Sequence, residues 1–101
     1  MDQRTTSDQQ RISSVVSLRP SSPVPLYYQL AQSITHAVRC GVLQPGTILG
    51  PVRVLAEELR MSRNTVRHAM QLLSVNNVIR PAGAGRHIVM APRGGFELPP
   101  G

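Results

Sequence analysis

The 101-residue chain has a formal net charge of +6 and a pI near 11.4, and all eleven of its cations are arginines. That balance favours a polyanionic partner, either nucleic acid or an anionic membrane surface. The single Cys40 excludes an internal disulfide, and a chain this short has little room for a large buried substrate pocket, which argues against an enzyme.

Residues 1–24 are rich in Ser, Thr, Gln, Asp and Arg and include Arg19-Pro20-Ser21-Ser22-Pro23, which cannot propagate a helix. They are expected to form a flexible N-terminal tail. A first helix is predicted from Leu26 to Cys40, with Pro25 suited to its first turn. At 100° per residue, Leu26, Tyr27, Leu30, Ala31, Ile34, Ala37 and Val38 share one stripe. Gln29, Gln32, His36 and Arg39 fall outside it. Gly41 is a natural stop, Gln44-Pro45-Gly46 a turn, and Thr47-Ile48-Leu49 a short strand ended by Gly50-Pro51.

The second helix is predicted over about Pro51–Leu59, with Val52, Leu55, Ala56 and Leu59 on its apolar face. The third is capped by Ser62, whose hydroxyl can accept from a free backbone N–H, and runs to about Val75. Val66, Ala69, Met70 and Leu73 point inward. Asn64, Arg67, His68 and Gln71 lie near the opposite side, where no carboxylate competes for a polyanion. Asn76-Asn77 ends the helix, since Asn tolerates left-handed backbone. Two β-prone runs, Val78–Arg80 and Arg86–Met90, flank Pro81-Ala82-Gly83-Ala84-Gly85 and read as a hairpin with a projecting loop. Residues 91–101, with three prolines and three glycines, read as a tail or linker. Residues 25–90 are therefore the expected domain, mainly α with a small β-sheet: a winged helix-turn-helix of three helices plus a wing.

Two constellations of chemistry-bearing residues are discounted. His36 and Cys40 stand i, i+4 and suit zinc, but no further ligands are evident, so no metal or other cofactor is expected. Glu57 and Glu58 are adjacent and point about 100° apart on a helix, which cannot make a converging catalytic pair. No apolar run approaches the ~20 residues of a spanning helix, and no signal peptide is evident. A cytoplasmic location without membrane contact follows as the expectation.

The segments Pro25-Leu26-Tyr27-Tyr28-Gln29-Leu30-Ala31, Gly41-Val42-Leu43-Gln44-Pro45-Gly46-Thr47 and Leu55-Ala56 carry a family resemblance. Most specific is Met61-Ser62-Arg63-Asn64-Thr65-Val66-Arg67-His68-Ala69-Met70-Gln71-Leu72-Leu73. Together they resemble the GntR family of bacterial transcription regulators, whose pattern in the last stretch is V-S-R-x-T-V-R-x-A-L-x-x-L. The opening looks more like the HutC-, YtrA- or MocR-like branches than the FadR-like one. The resemblance implies sequence-specific binding of double-stranded DNA, in a repressor's role, with the recognition helix of about 62–75 in the major groove and the wing of 81–86 near the minor groove.

By that resemblance Arg53, Arg63, Thr65 and Arg67 match DNA contacts, while Asn64 and His68 occupy variable positions suited to specificity. Ser62 lies at the same end of the helix, the end that meets base edges. Gly83, Gly85 and Arg86 are the wing's candidates, because a Gly-rich tip lets backbone approach and Arg favours a narrow minor groove. The chain departs from the pattern in three places. Leu49-Gly50-Pro51-Val52 replaces Leu-Pro-Ser-Glu, Arg60 replaces a helix-turn Gly, and the wing glycines are displaced by one. The family's usual ligand-sensing, dimerising domain is not expected within this length. The chain is thus expected to be a monomer or weak dimer that loads on an inverted-repeat operator. The alternative is an interaction module that pairs with a full-length regulator.

Overall fold

The computed structural model describes residue 12 and residues 15–91. The elements run α1 (Leu26–Arg39), β1 (Ile48–Leu49), α2 (Val52–Leu59), α3 (Arg63–Val75), β2 (Ile79–Gly83) and β3 (Arg86–Val89). This is a winged helix-turn-helix. Each helix follows its apolar period. Leu30, Ile34 and Val38 of α1 meet Val66, Met70 and Leu73 of α3, while Leu55 and Ala56 of α2 close the third side.

All three helices end in the same way. The amide two residues past the last carbonyl-bonded turn reaches back over the helix end: Val42 N–H to Ala37 O (2.8 Å), Met61 N–H to Ala56 O (3.0 Å) and Val78 N–H to Leu73 O (2.9 Å). That closure puts one residue in left-handed backbone. Gly41 takes it at φ +82°, Arg60 at +57° and Asn77 at +63°. Glycine enters this region without steric penalty and asparagine visits it with little, so α1 and α3 end at sequence-encoded stops. Arg60 is the strained member.

The sheet is antiparallel with spatial order β1-β3-β2, so the last strand lies in the middle. Ile48 pairs with Ile88 and Ile79 with Val89. The expected projecting loop is not there. β2 continues through Pro81 and Gly83, Gly83 pairs with Arg86, and the reversal is made by Ala84 and Gly85 alone, at φ +55° and +77°. Positive φ at both central residues suits a two-residue hairpin turn. Pro81 is tolerated because β2 is an edge strand, and a bulge between Pro81 and Gly83 absorbs the irregularity.

Packing begins before residue 25. Ile12 is buried in the core, and Val15, Val16 and Leu18 lie against it. Gln29, outside the apolar stripe of α1, is also buried. Its amide accepts from Arg19 N–H (2.7 Å) and donates to the carbonyls of Arg19 (3.1 Å) and Val24 (2.7 Å). A buried amide is tolerated when its hydrogen bonds are met, and here they hold residues 19–24 onto α1. Within the stretch read as a tail, residues 1–11, 13 and 14 lie outside the described residues, as do residues 92–101 of the C-terminal stretch.

Candidate nucleic-acid interface

The N-terminal end of α3 is built by its cap. Ser62 Oγ accepts from Thr65 N–H at 3.0 Å and meets Thr65 Oγ1 at 2.8 Å. One orphan amide is satisfied by this, and the chain enters the helix at a fixed angle. Arg63, Asn64 and Arg67 are exposed beyond the cap, and Arg67 Nη1 donates to Asn64 Oδ1 at 3.4 Å. No acid lies in the first turn. The outer face of α3 is therefore cationic and rich in side-chain donors, and Asn64 brings an acceptor next to the Arg67 guanidinium.

His68 is placed differently. Its ring stacks on Tyr27 of α1, with centroids 3.7 Å apart and planes 4° from parallel. Tyr27 in turn meets Tyr28 edge-on at 6.4 Å. One face of the exposed imidazole is thus covered by α1, a contact between helices that helical periodicity does not reveal.

Arg53 projects from α2 with most of its side chain exposed and holds Glu57 at 3.7 Å, one turn along. An exposed pair of this kind contributes little and leaves the guanidinium free to exchange partners. The wing tip comes close to the start of the same helix. Gly85 O accepts from Val52 N–H at 3.2 Å, and a β-carbon on Gly50 would lie 2.9 Å from that carbonyl. Gly50 itself has φ +107°. Glycine at position 50 is thus what lets the wing tuck against α2, and Gly-Pro in place of the resembled Pro-Ser gains a specific reason.

The structure therefore groups the candidates in two clusters. Ser62, Arg63, Asn64, Thr65 and Arg67 form one on α3, with His68 turned toward α1. Gly83, Gly85 and Arg86 form the other at the wing tip, docked beside the α2 turn that bears Arg53. Sequence reasoning missed the burial of His87 on β3. Its ring is half-buried on β3, one residue from the Gly83–Arg86 pair that closes the wing turn; Nδ1 is shut off without a partner among the described residues, and desolvation pushes its pKa below the ordinary 6.5. The signal was present as a polar residue in a β-prone run, but its burial depends on α3 lying opposite.

His36 Nε2 and Cys40 Sγ meet at 3.4 Å on the exposed side of α1. Among the described residues no three His, Cys, Asp or Glu side chains gather as a metal site, and no helix is long and apolar enough to cross a membrane.

Three helices, a tucked antiparallel wing and a cationic helix face define the class of winged helix-turn-helix DNA-binding domains. Residues 26–86 match the model of the bacterial regulatory proteins, gntR family, and the chain belongs to that family of DNA-binding transcription regulators. It is 45% identical over 65 residues to the HTH-type transcriptional regulator GgaR of Escherichia coli K12, which covers 63% of this chain and 26% of that protein. It is 32% identical over 74 residues to the HTH-type transcriptional repressor NagR of Bacillus subtilis, covering 72% of this chain and 30% of that one. The chain thus spans about a quarter to a third of the length of these relatives. Among solved structures, YtrA from Sulfolobus acidocaldarius, a GntR-family transcription factor, superposes with a TM-score of 0.71 at 28% identity, covering 78% of this chain and 83% of that one.

Proposed function

We propose that this domain binds a specific duplex sequence with the N-terminal half of α3 in the major groove, and that it acts as a repressor by occupying an operator. The observation that carries the reading is the outer face of α3, where Arg63, Asn64 and Arg67 stand exposed behind a Ser62 cap with no acid in the first turn. Arg pairs bidentately with guanine O6/N7 and Asn with adenine N6/N7. Thr65 braces the cap, and Arg53 reaches the phosphates from α2. Gly83, Gly85 and Arg86 meet the adjacent minor groove at the wing tip. His68, stacked on Tyr27, contributes an imidazole edge rather than a free ring. That NagR is named a repressor supports the sense of regulation. The operator is an inverted repeat, on which this chain loads as two copies and is a monomer or weak dimer without DNA.

Selection from a random duplex pool with this chain tests the reading. It should enrich a short guanine-containing half-site. Enrichment of no sequence over random duplex at moderate salt would refute it.

A further inference from the structure

Between the C-terminal half of α3 and the wing lies an open cleft of about 410 Å³ that shares Arg67 and Gly85 with the contacts above and is otherwise not used by them. Its floor is apolar, formed by Val52 and Met70, and Pro81 of β2 forms part of the far wall. Along one wall Arg67, Gln71 and Ser74 follow one another at helical spacing, and His87 faces them from β3. Among the described residues no carboxylate lines it, so the charge they give it is that of Arg67. Among the described residues His87 Nδ1 is buried with no partner, whereas Nε2 is not shut off in this way. The half-buried imidazole therefore has its hydrogen-bonding capacity on one side only. Neutral His carries one N–H, and an Nδ1 without an acceptor is best left unprotonated, so the proton belongs on Nε2.

We infer that this cleft seats one stretch of the DNA sugar–phosphate backbone, with the Ser74 hydroxyl, the Gln71 amide and His87 Nε2–H as donors to a phosphodiester and the apolar floor beneath its deoxyribose. The inference rests on the proposed DNA reading and extends it to Gln71, Ser74 and His87, to which that reading gives no contact. Two features select the backbone as the occupant. The cleft is bounded by α3 on one side and the wing on the other, and with those two elements in adjacent grooves, as proposed, the strand between the grooves runs between them. The wall chemistry also divides as a nucleotide backbone does, with donors and a cation above an apolar floor. Contacts of this kind fix register and carry no base information, so their loss weakens all duplexes alike.

Single methylphosphonate substitutions, which remove one phosphate charge at a time, test this on the selected duplex. In the parent, one neutralised position flanking the major-groove half-site should weaken binding about tenfold, as loss of a charge-assisted contact does. Ser74→Ala and His87→Phe, which keeps the ring volume, should each weaken specific and random duplex by the same factor and lose sensitivity at that one position. Their unfolding midpoints identify any loss that comes from folding instead. Should a variant prove unstable, shifts of the parent's Met70 methyl and Ser74 amide on adding duplex read the cleft directly, and their absence would overturn the inference. Variants with the parent's methylphosphonate profile would also overturn it while leaving specific DNA binding intact. A chain that binds no duplex would overturn both.

Discussion

The recognition helix and the wing face the same proposed ligand but are held in opposite ways. Apart from His68, which stacks on Tyr27 of α1, the polar face of α3 stands clear of the other elements. Its cap bonds lie within its own first turn, and among the described residues Arg63 and Arg67 have no hydrogen-bond or ion-pair partner outside the helix. The wing tip is bound into the domain through Gly85 O and Val52 N–H, in space that only glycine at position 50 leaves open. Change on the helix should therefore alter binding without altering the fold. Change beneath the wing should alter the fold first. A small domain with one continuous core has few independent surfaces, and this difference separates a surface that can change freely from one on which the fold depends.

The sharpest way to break the comparison is Gly50→Ala. The added β-carbon meets backbone at 2.9 Å, and φ is +107°. Together these should cost about 2–4 kcal/mol of stability, visible as a large drop in thermal midpoint. An unchanged midpoint would show that the wing is not docked as described. Next in size are Arg63→Ala and Arg67→Ala, which should keep the parent's midpoint and lose about 1–3 kcal/mol of discrimination between the selected and a scrambled duplex. If either variant discriminates as the parent does, that residue does not read bases.

A smaller effect of opposite sign is expected at the turn between α2 and α3. Arg60 sits at φ +57°, where Gly would be unstrained, so Arg60→Gly should raise stability by up to about 1 kcal/mol in denaturant melts, less what glycine adds to the entropy of the unfolded chain. The smallest effect is one of pH. Burial lowers the pKa of His87 in the folded protein below the ordinary 6.5, so the unfolded chain takes up the proton first on acidification. Its contribution to stability is complete above about pH 6.5 and is lost as pH falls through the folded-state value. His87→Phe should flatten that part of the stability–pH curve, and a parallel curve would remove His87 from the account.

The same contrast explains what could be read in the sequence. Helices are local objects. Their apolar period, the stop at Gly41, the Ser62 cap and the Asn76-Asn77 ending were all legible, and so was the polar face of α3. The wing was legible as a hairpin but not in its length, because Pro81-Ala82-Gly83 has loop composition. It becomes strand only because the sheet order leaves β2 at an edge, where proline costs no ladder bond. Gln29 looked solvent-facing by period, yet Arg19 and Val24 bring backbone partners to its amide. The His68–Tyr27 stack and the burial of His87 likewise depend on elements distant in sequence. Each misreading concerns a polar or turn-forming residue whose role is set by a tertiary partner.

The central claim is that α3 reads the major groove while the wing lies over the minor groove. Methylation interference separates the two, because dimethyl sulfate marks guanine N7 in the major groove and adenine N3 in the minor. On the selected half-site, premethylated guanines should be excluded from the bound fraction of the parent, and Arg67→Ala should lose that exclusion at one guanine. Binding that tolerates every N7 mark and is blocked only by N3 marks would contradict the account.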